Sequence, residues 1–255
     1  METFAIESWH VLQSVFMQET LEIVMSIKLM IFDVIGTTVY DDNAVANNFF
    51  SAFKKNGYKI DIKDINNFMG LSKPEAIKEI LTKYSETAPD HYEVNKIYKD
   101  FKNDVVDHYK NDFNIKPVSY AESVFYKLKE RNVIICLDTG FDREILEIIL
   151  NRLNWNNLVD YTVTSDEVEN GRPSPDMIYY LMRYFGIDNP FNVGKVGDSL
   201  SDIQQGINAE CGLVAAIANQ RTNDLSYKYP NVKYLDNLLE LIDVLDSFEK
   251  EDVKG

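Results

Sequence analysis

The apolar positions of this chain change their period twice. Ile27-Lys28-Leu29-Met30-Ile31-Phe32 is a short, nearly continuous apolar run ending at Asp33, the pattern of a strand buried in a parallel sheet. From Ala44 to about Lys116 apolar residues fall instead at helical spacing: Phe49, Phe50 and Phe53; Ile77, Ile80 and Leu81; Tyr98, Phe101 and Val105. Asn56-Gly57 and Ala88-Pro89-Asp90 break this stretch, which predicts an all-helical insert. Beyond Pro117 strand and helix alternate. Helices are predicted over 121–130, 142–153, 176–185, 202–208 and 236–248, and strands over 132–137, 161–164, 192–196 and 212–216. Repeated strand–helix units predict an α/β fold, a parallel sheet with helices on both faces. The expected organisation is an α/β core from 27–43 and 117–255, with a helical cap over 44–116 above the C-terminal end of strand one. Residues 1–26 read as an N-terminal extension, helical, or as sequence ahead of a start at Met25. Glu2, Glu7, Glu19 and Glu22 do not suit the basic start of a signal peptide.

Composition narrows the partners. The 255 residues are 45% hydrophobic and 26% charged, an ordinary globular balance, and the net charge is −15. Such a charge argues against nucleic acid and anionic membranes, and any anionic substrate must be met by a local positive site. No run approaches the roughly 18 apolar residues of a membrane span. Cys136 and Cys211 lie in or beside apolar runs and read as small buried residues of a reducing, cytoplasmic protein. The chain suits a monomer or a homodimer.

Candidate chemistry collects at strand ends. Asp33 precedes Val34-Ile35-Gly36-Thr37-Thr38; the second predicted strand runs into Asp138-Thr139-Gly140; the strand over 192–196 runs into Gly197-Asp198-Ser199. Open parallel sheets place ligands at this edge. Asp198 and Asp202 lie four apart, and with Asp33 would crowd three carboxylates, a repulsion that a hard divalent cation with oxygen ligands relieves. The plainer alternative makes Asp198 a helix cap and Asp202 a solvated residue. Thr139 and the backbone N–H groups after Asp33 can bind phosphate oxygens, although a turn explains Thr139-Gly140 equally well. Arg172, between Gly171 and Pro173, can grip phosphate bidentately or be a surface arginine in a turn.

In this order, Asp33-x-x-Gly36-Thr37, Thr139, Arg172 and Gly197-Asp198-x-x-x-Asp202 resemble the four motifs of the haloacid dehalogenase-like hydrolase superfamily. The wording of Met69-Gly70-Leu71-Ser72-Lys73, Thr139-Gly140-Phe141-Asp142-Arg143 and Gly171-Arg172-Pro173-Ser174-Pro175 resembles its phosphonatase-like branch, typified by phosphonoacetaldehyde hydrolase. The resemblance implies a Rossmann-like three-layer core with an inserted α-helical cap of the C1 type. It implies a Mg²⁺-dependent hydrolase of a small phosphorylated or phosphonylated metabolite, working through an aspartyl-phosphate. Asp33 would be the nucleophile and Arg172 a catalytic cation. Thr139, Gly140, Gly36 and Thr37 would bind substrate, and Asp33, Ile35, Asp198 and Asp202 would make the metal site.

Most phosphatases of the superfamily carry an acid two residues after the nucleophile, and the phosphonatase branch usually has Ala. Ile35 cannot carry a proton, which disfavours mutases and general sugar phosphatases. A carbon leaving group needs no such acid if a lysine imine accepts the electrons, and Lys73 matches the branch's imine-forming lysine. It also reads as a solvated lysine, or as a phosphate-binding residue without covalent chemistry. The branch has a His three residues after the lysine; here the position holds Ala76. Two other readings stand beside these. A metal-free dehalogenase is opposed by Asp198 and Asp202. A catalytically weak phosphate-binding or regulatory homologue is favoured by Ile35 alone.

Overall fold

A computed structural model describes residues 26–66, 68–84, 88–111, 114–219 and 221–251; the extension expected over 1–26 lies almost wholly outside them. Six strands form one parallel sheet in the order β3-β2-β1-β4-β5-β6. They are β1 (Leu29–Asp33), β2 (Ile134–Thr139), β3 (Tyr161–Thr164), β4 (Val193–Gly197), β5 (Leu213–Ile217) and β6 (Lys233–Leu235). Every residue of β1 is buried, which is why its run shows no polar alternation.

Four helices lie in the sequence between β1 and the next core helix: α1 (Ala44–Lys55), α2 (Ile62–Asn66), α3 (Lys73–Tyr84) and α4 (His91–Asn111). Around the sheet follow α5 (Ala121–Glu130), α6 (Arg143–Leu153), α7 (Asp176–Phe185), α8 (Leu200–Asn208) and α9 (Glu240–Glu251). The breaks read from the sequence fall at helix ends, with Asn56 capping α1 and Pro89 preceding α4. Strands β2, β4 and β5 each begin and end one or two residues later than their apolar runs predict. β2 takes in the polar residues Asp138-Thr139 at its end and β4 takes in Gly197, because backbone pairing continues there. The three-residue β6 was not expected; Lys233 and Tyr234 give it no apolar run, and pairing with β5 defines it.

The main apolar core spans one face of the sheet and continues into the inserted helices. Phe32 meets Phe125 edge-on, Phe125 meets Trp155, and Phe49 stacks on Phe101 with ring centroids 4.2 Å apart. Phe101 and Tyr109 of α4 then pack on Phe141 of the core. A polar tether joins the same elements. Asp142 caps α6 by accepting from the Ile145 N–H, and also accepts from Tyr98 Oη at 2.6 Å and Lys102 Nζ at 2.7 Å, both on α4. The insert is thus seated on the loop that follows β2.

Candidate active site

Strand register brings the polar ends together. Asp33 stands abreast of Asp138, and Phe32 is abreast of Val196, so that Gly197-Asp198 emerges beside Asp33. Sheet order reverses between β1 and β4, the position where open α/β sheets bind ligands. The turn after Asp33 is fixed locally. Gly36 N–H donates to Val39 O at 2.8 Å, Thr38 N–H to Val34 O at 2.9 Å, and the Thr38 hydroxyl to Asp33 O at 3.0 Å. Gly36 has φ +92, and a Cβ there would overlap the Asp198 carboxylate. Glycine is required for both reasons.

A buried ionic network lies beneath. Arg172 Nη1 donates to Asp33 Oδ1 at 2.8 Å and to Asp202 Oδ1. Lys195, inside β4 and fully buried, pairs with Asp138 and lies 3.1 Å from Asp202 Oδ1. Ser199 donates its hydroxyl to Asp202 and caps α8. Arg221 pairs with Asp198. Arg172 and Asp202 are 3% and 1% exposed, so neither is the surface residue that the simpler readings allowed. Burial, only partly offset by Arg172, raises the Asp33 carboxyl to about 6, and burial raises Asp198 to about 7. Burial acts the same way on Asp202, but Arg172 and Lys195 outweigh it and hold that group at about 2.

The candidate reaction pocket is lined by Asp33, Ile35, Lys73, Thr139, Arg172 and Asp198, with Phe141 and Arg221. Lys73, at the start of α3, is buried with its Nζ 4.8 Å from the Phe141 ring centroid and 5.8 Å from that of Phe49. It is therefore not a solvated lysine. Burial, then the Arg172 charge, lowers its pKa to about 8, with Asp33 and Asp41 pulling the other way. Thr139 Oγ1 accepts from the Phe141 N–H at 3.2 Å, leaving its own O–H to donate. The Thr37 hydroxyl is buried without a partner. Gly140 lies against the Leu71 carbonyl so closely that a Cβ would collide with it; the loop 69–72 thus closes on the core across a glycine.

The carboxylates suit a divalent cation. Asp33, Asp138 and Asp202 each bring an oxygen within 4.8 Å of the others. Asp198 lies apart from that trio, against Gly36. Both oxygens of Asp202 already accept from cations or Ser199, and Asp138 is held by Lys195. Asp138 keeps one buried oxygen without a partner, and Asp33 and Asp198 each accept from an arginine through one oxygen while burial raises both carboxyls. A hard cation held by carboxylates of this cluster would relieve that penalty.

Asp138, Lys195, Thr38 and Arg221 carry no role in the sequence reading. A lysine within the apolar run of β4 was a usable signal, since a charge in a buried strand needs an internal partner. Asp138 was legible beside Thr139 once β2 was aligned with β1. Arg221 follows β5 in a loop with no motif around it.

Fold and site together define a class, and sequence comparison agrees. Residues 30–216 match the haloacid dehalogenase-like hydrolase family, so the chain belongs to that family; it is a hydrolase of the phosphonatase-like kind. Within the family, it is 30% identical over 217 residues to phosphonoacetaldehyde hydrolase of Bacillus cereus (strain AH187), covering 79% of this chain and 80% of that one. It is 29% identical over 205 residues to the bifunctional phosphonoacetaldehyde hydrolase/aminoethylphosphonate transaminase of Clostridioides difficile (strain 630). That match takes in 75% of this chain but only 31% of the longer protein. The crystal structure of a phosphonoacetaldehyde hydrolase-like protein from Oleispira antarctica superposes with a TM-score of 0.75 at 18% identity, covering 91% of this chain and 96% of that one; this likeness is one of fold. Among the described residues, no helix is long and apolar enough to cross a membrane.

Proposed function

We propose that this protein is a Mg²⁺-dependent hydrolase that cleaves the C–P bond of a small phosphonate bearing a carbonyl β to phosphorus. The observation that carries this reading is the shared pocket of Asp33 and Lys73, a nucleophilic carboxylate and a buried amine whose pKa is lowered to about 8, with Ile35 where an acid would otherwise stand.

Lys73 Nζ adds to the carbonyl and water leaves, giving an iminium. Asp33 then attacks phosphorus. The C–P electron pair passes into the iminium to give an enamine, so no acid at position 35 is needed. Protonation of the enamine carbon and hydrolysis of the resulting imine release the carbonyl product and free Lys73. Water hydrolyses the aspartyl-phosphate to phosphate. Arg172 and the Thr139 hydroxyl stabilise charge on the phosphoryl oxygens. Asp33 and Asp198, with the Ile35 backbone and Asp202 behind them, would hold Mg²⁺, which when bound supplies further positive charge at the phosphoryl group.

Borohydride trapping tests the covalent step. Incubation with phosphonoacetaldehyde and borohydride is expected to inactivate the wild type irreversibly and to leave Lys73→Arg free of adduct. Wild type that turns over phosphonoacetaldehyde without ever being trapped refutes the imine. Hydrolysis of p-nitrophenyl phosphate, stimulated by Mg²⁺, lost on chelation and lost in Asp33→Asn, tests the nucleophile and the metal separately.

A second reading rests on Ala76, which stands where the phosphonatase branch has His. In it Lys73 is a fixed charge for the phosphoryl group, and the enzyme is a phosphatase for leaving groups that need little protonation. Turnover of p-nitrophenyl phosphate with no borohydride adduct favours this reading.

A further inference from the structure

Met69, Asp198 and Arg221 line both the reaction pocket and a neighbouring cleft of about 880 Å³. The pocket itself encloses only about 20 Å³, so the part of a ligand that is not reacting must lie toward the cleft. Arg221 stands at this junction. Its side chain is one-quarter exposed, its Nη2 donates to Asp198, and its Nε is buried with no hydrogen-bond partner.

The loop is built to hold it there. The Asn219 side chain accepts from the Arg221 N–H at 2.7 Å and donates to Asp198 O at 3.0 Å; the Thr222 hydroxyl donates to Ile217 O at 2.7 Å. The loop backbone that carries Arg221 is thus fixed to the end of β4 as well as to its own strand.

Its present partner is one it must share. A divalent cation on Asp198 would take the same carboxylate and place a like charge beside the guanidinium. With its acceptor drawn away and Nε already unpartnered, Arg221 then needs an anion from the ligand. The phosphoryl seat has its own donors in Arg172 and Thr139. With the phosphoryl group already provided for, a planar carboxylate is an anion that matches the guanidinium fork bidentately.

We propose that Arg221 determines specificity by holding a carboxylate, so that the substrates are phosphonates or phosphate esters carrying a second acidic group. This rests on the phosphoryl seat proposed above. It adds the chemical class of the rest of the substrate.

Calorimetry on the full chain with Mg²⁺ separates the two ideas, using 3-phosphonopropionate and propylphosphonate, which differ only by carboxylate for methyl. Wild type is expected to bind the carboxylated compound at least about tenfold more tightly. Arg221→Gln should bring the ratio of dissociation constants close to one. Arg221→Lys, which keeps the charge and loses the fork, should give an intermediate ratio, and serves alone if the glutamine variant does not fold. A ratio near one in wild type, or a wild-type ratio retained in either variant, overturns the assignment. Failure of wild type to bind either compound removes the phosphoryl seat and this proposal with it. A ratio that behaves as expected in a protein that leaves intact both phosphonoacetaldehyde and a carboxylated phosphonate with a carbonyl β to phosphorus overturns the C–P reading and leaves Arg221 as the carboxylate site.

Discussion

Lys73, from an inserted helix, lies with its Nζ 4.8 Å from the ring centroid of Phe141, a core residue two positions beyond Thr139. The contact carries the amine across the boundary between insert and sheet. It also places it in low-dielectric surroundings beside a second cation, Arg172. Both conditions lower a lysine pKa, and only the closed arrangement supplies them together.

The pH dependence of adduct formation follows. In the proposed imine step the neutral amine is the nucleophile, and the Lys73 pKa is lowered from 10.5 to about 8. The reactive fraction therefore grows about tenfold per pH unit below that value and levels off above it. The initial rate of borohydride-trapped adduct formation should climb from roughly pH 6 to 8 and flatten beyond. A rate still rising steeply at pH 10 would assign Lys73 an ordinary pKa.

Ile35 lines the pocket beside the nucleophile. Ile35→Asp places a proton donor there and should speed hydrolysis of alkyl phosphates, whose leaving groups need protonation, by on the order of 10²-fold. p-Nitrophenyl phosphate should gain much less. Steady-state kcat/KM for the two substrate types measures the difference; equal gains would show that position 35 does not face the leaving group.

Lys195 is fully buried between Asp138 and Asp202. Lys195→Met leaves Asp138 without its cation and Asp202 with Arg172 alone, and should cost about 3–5 kcal/mol of unfolding free energy. Pairing it with Asp138→Asn should recover part of that loss. Urea denaturation of the two variants checks both statements, and additivity between them would mean that the pair does not interact.

Gly140→Ala tests the closure of the loop 69–72. The added methyl meets the Leu71 carbonyl and should lower kcat/KM by about tenfold or more through misplacement of Lys73. The melting temperature should move little, because the clash can be relieved by lifting the loop. Unchanged kinetics would show that catalysis does not need this contact.

The sequence was legible where local chemistry repeats. β1 announced itself as an apolar run ending in Asp33, and α6 and α7 begin at the acidic residues that the periodicity picked out or next to them. Asp33, Thr139 and Arg172 were readable because each sits at a strand end or a proline-bounded loop, positions that are special in any parallel sheet. β6 was not readable, since its three residues have neither alternation nor an apolar run and exist as a strand only through β5.

What the chain determined by itself is the order of its elements and the identity of the groups at the sheet's C-terminal edge, because period and strand ends are local properties. The pairing of those groups is not local. Asp33 with Arg172, Lys195 with Asp138 and Arg221 with Asp198 are 139, 57 and 23 residues apart, and only the parallel register of the sheet, β4 against β5 for the last pair, brings them into contact. The charge state of each group is likewise decided by what covers it. The same lysine would be an ordinary surface cation on a free helix, and it acquires a lowered pKa only when that helix is packed over the sheet.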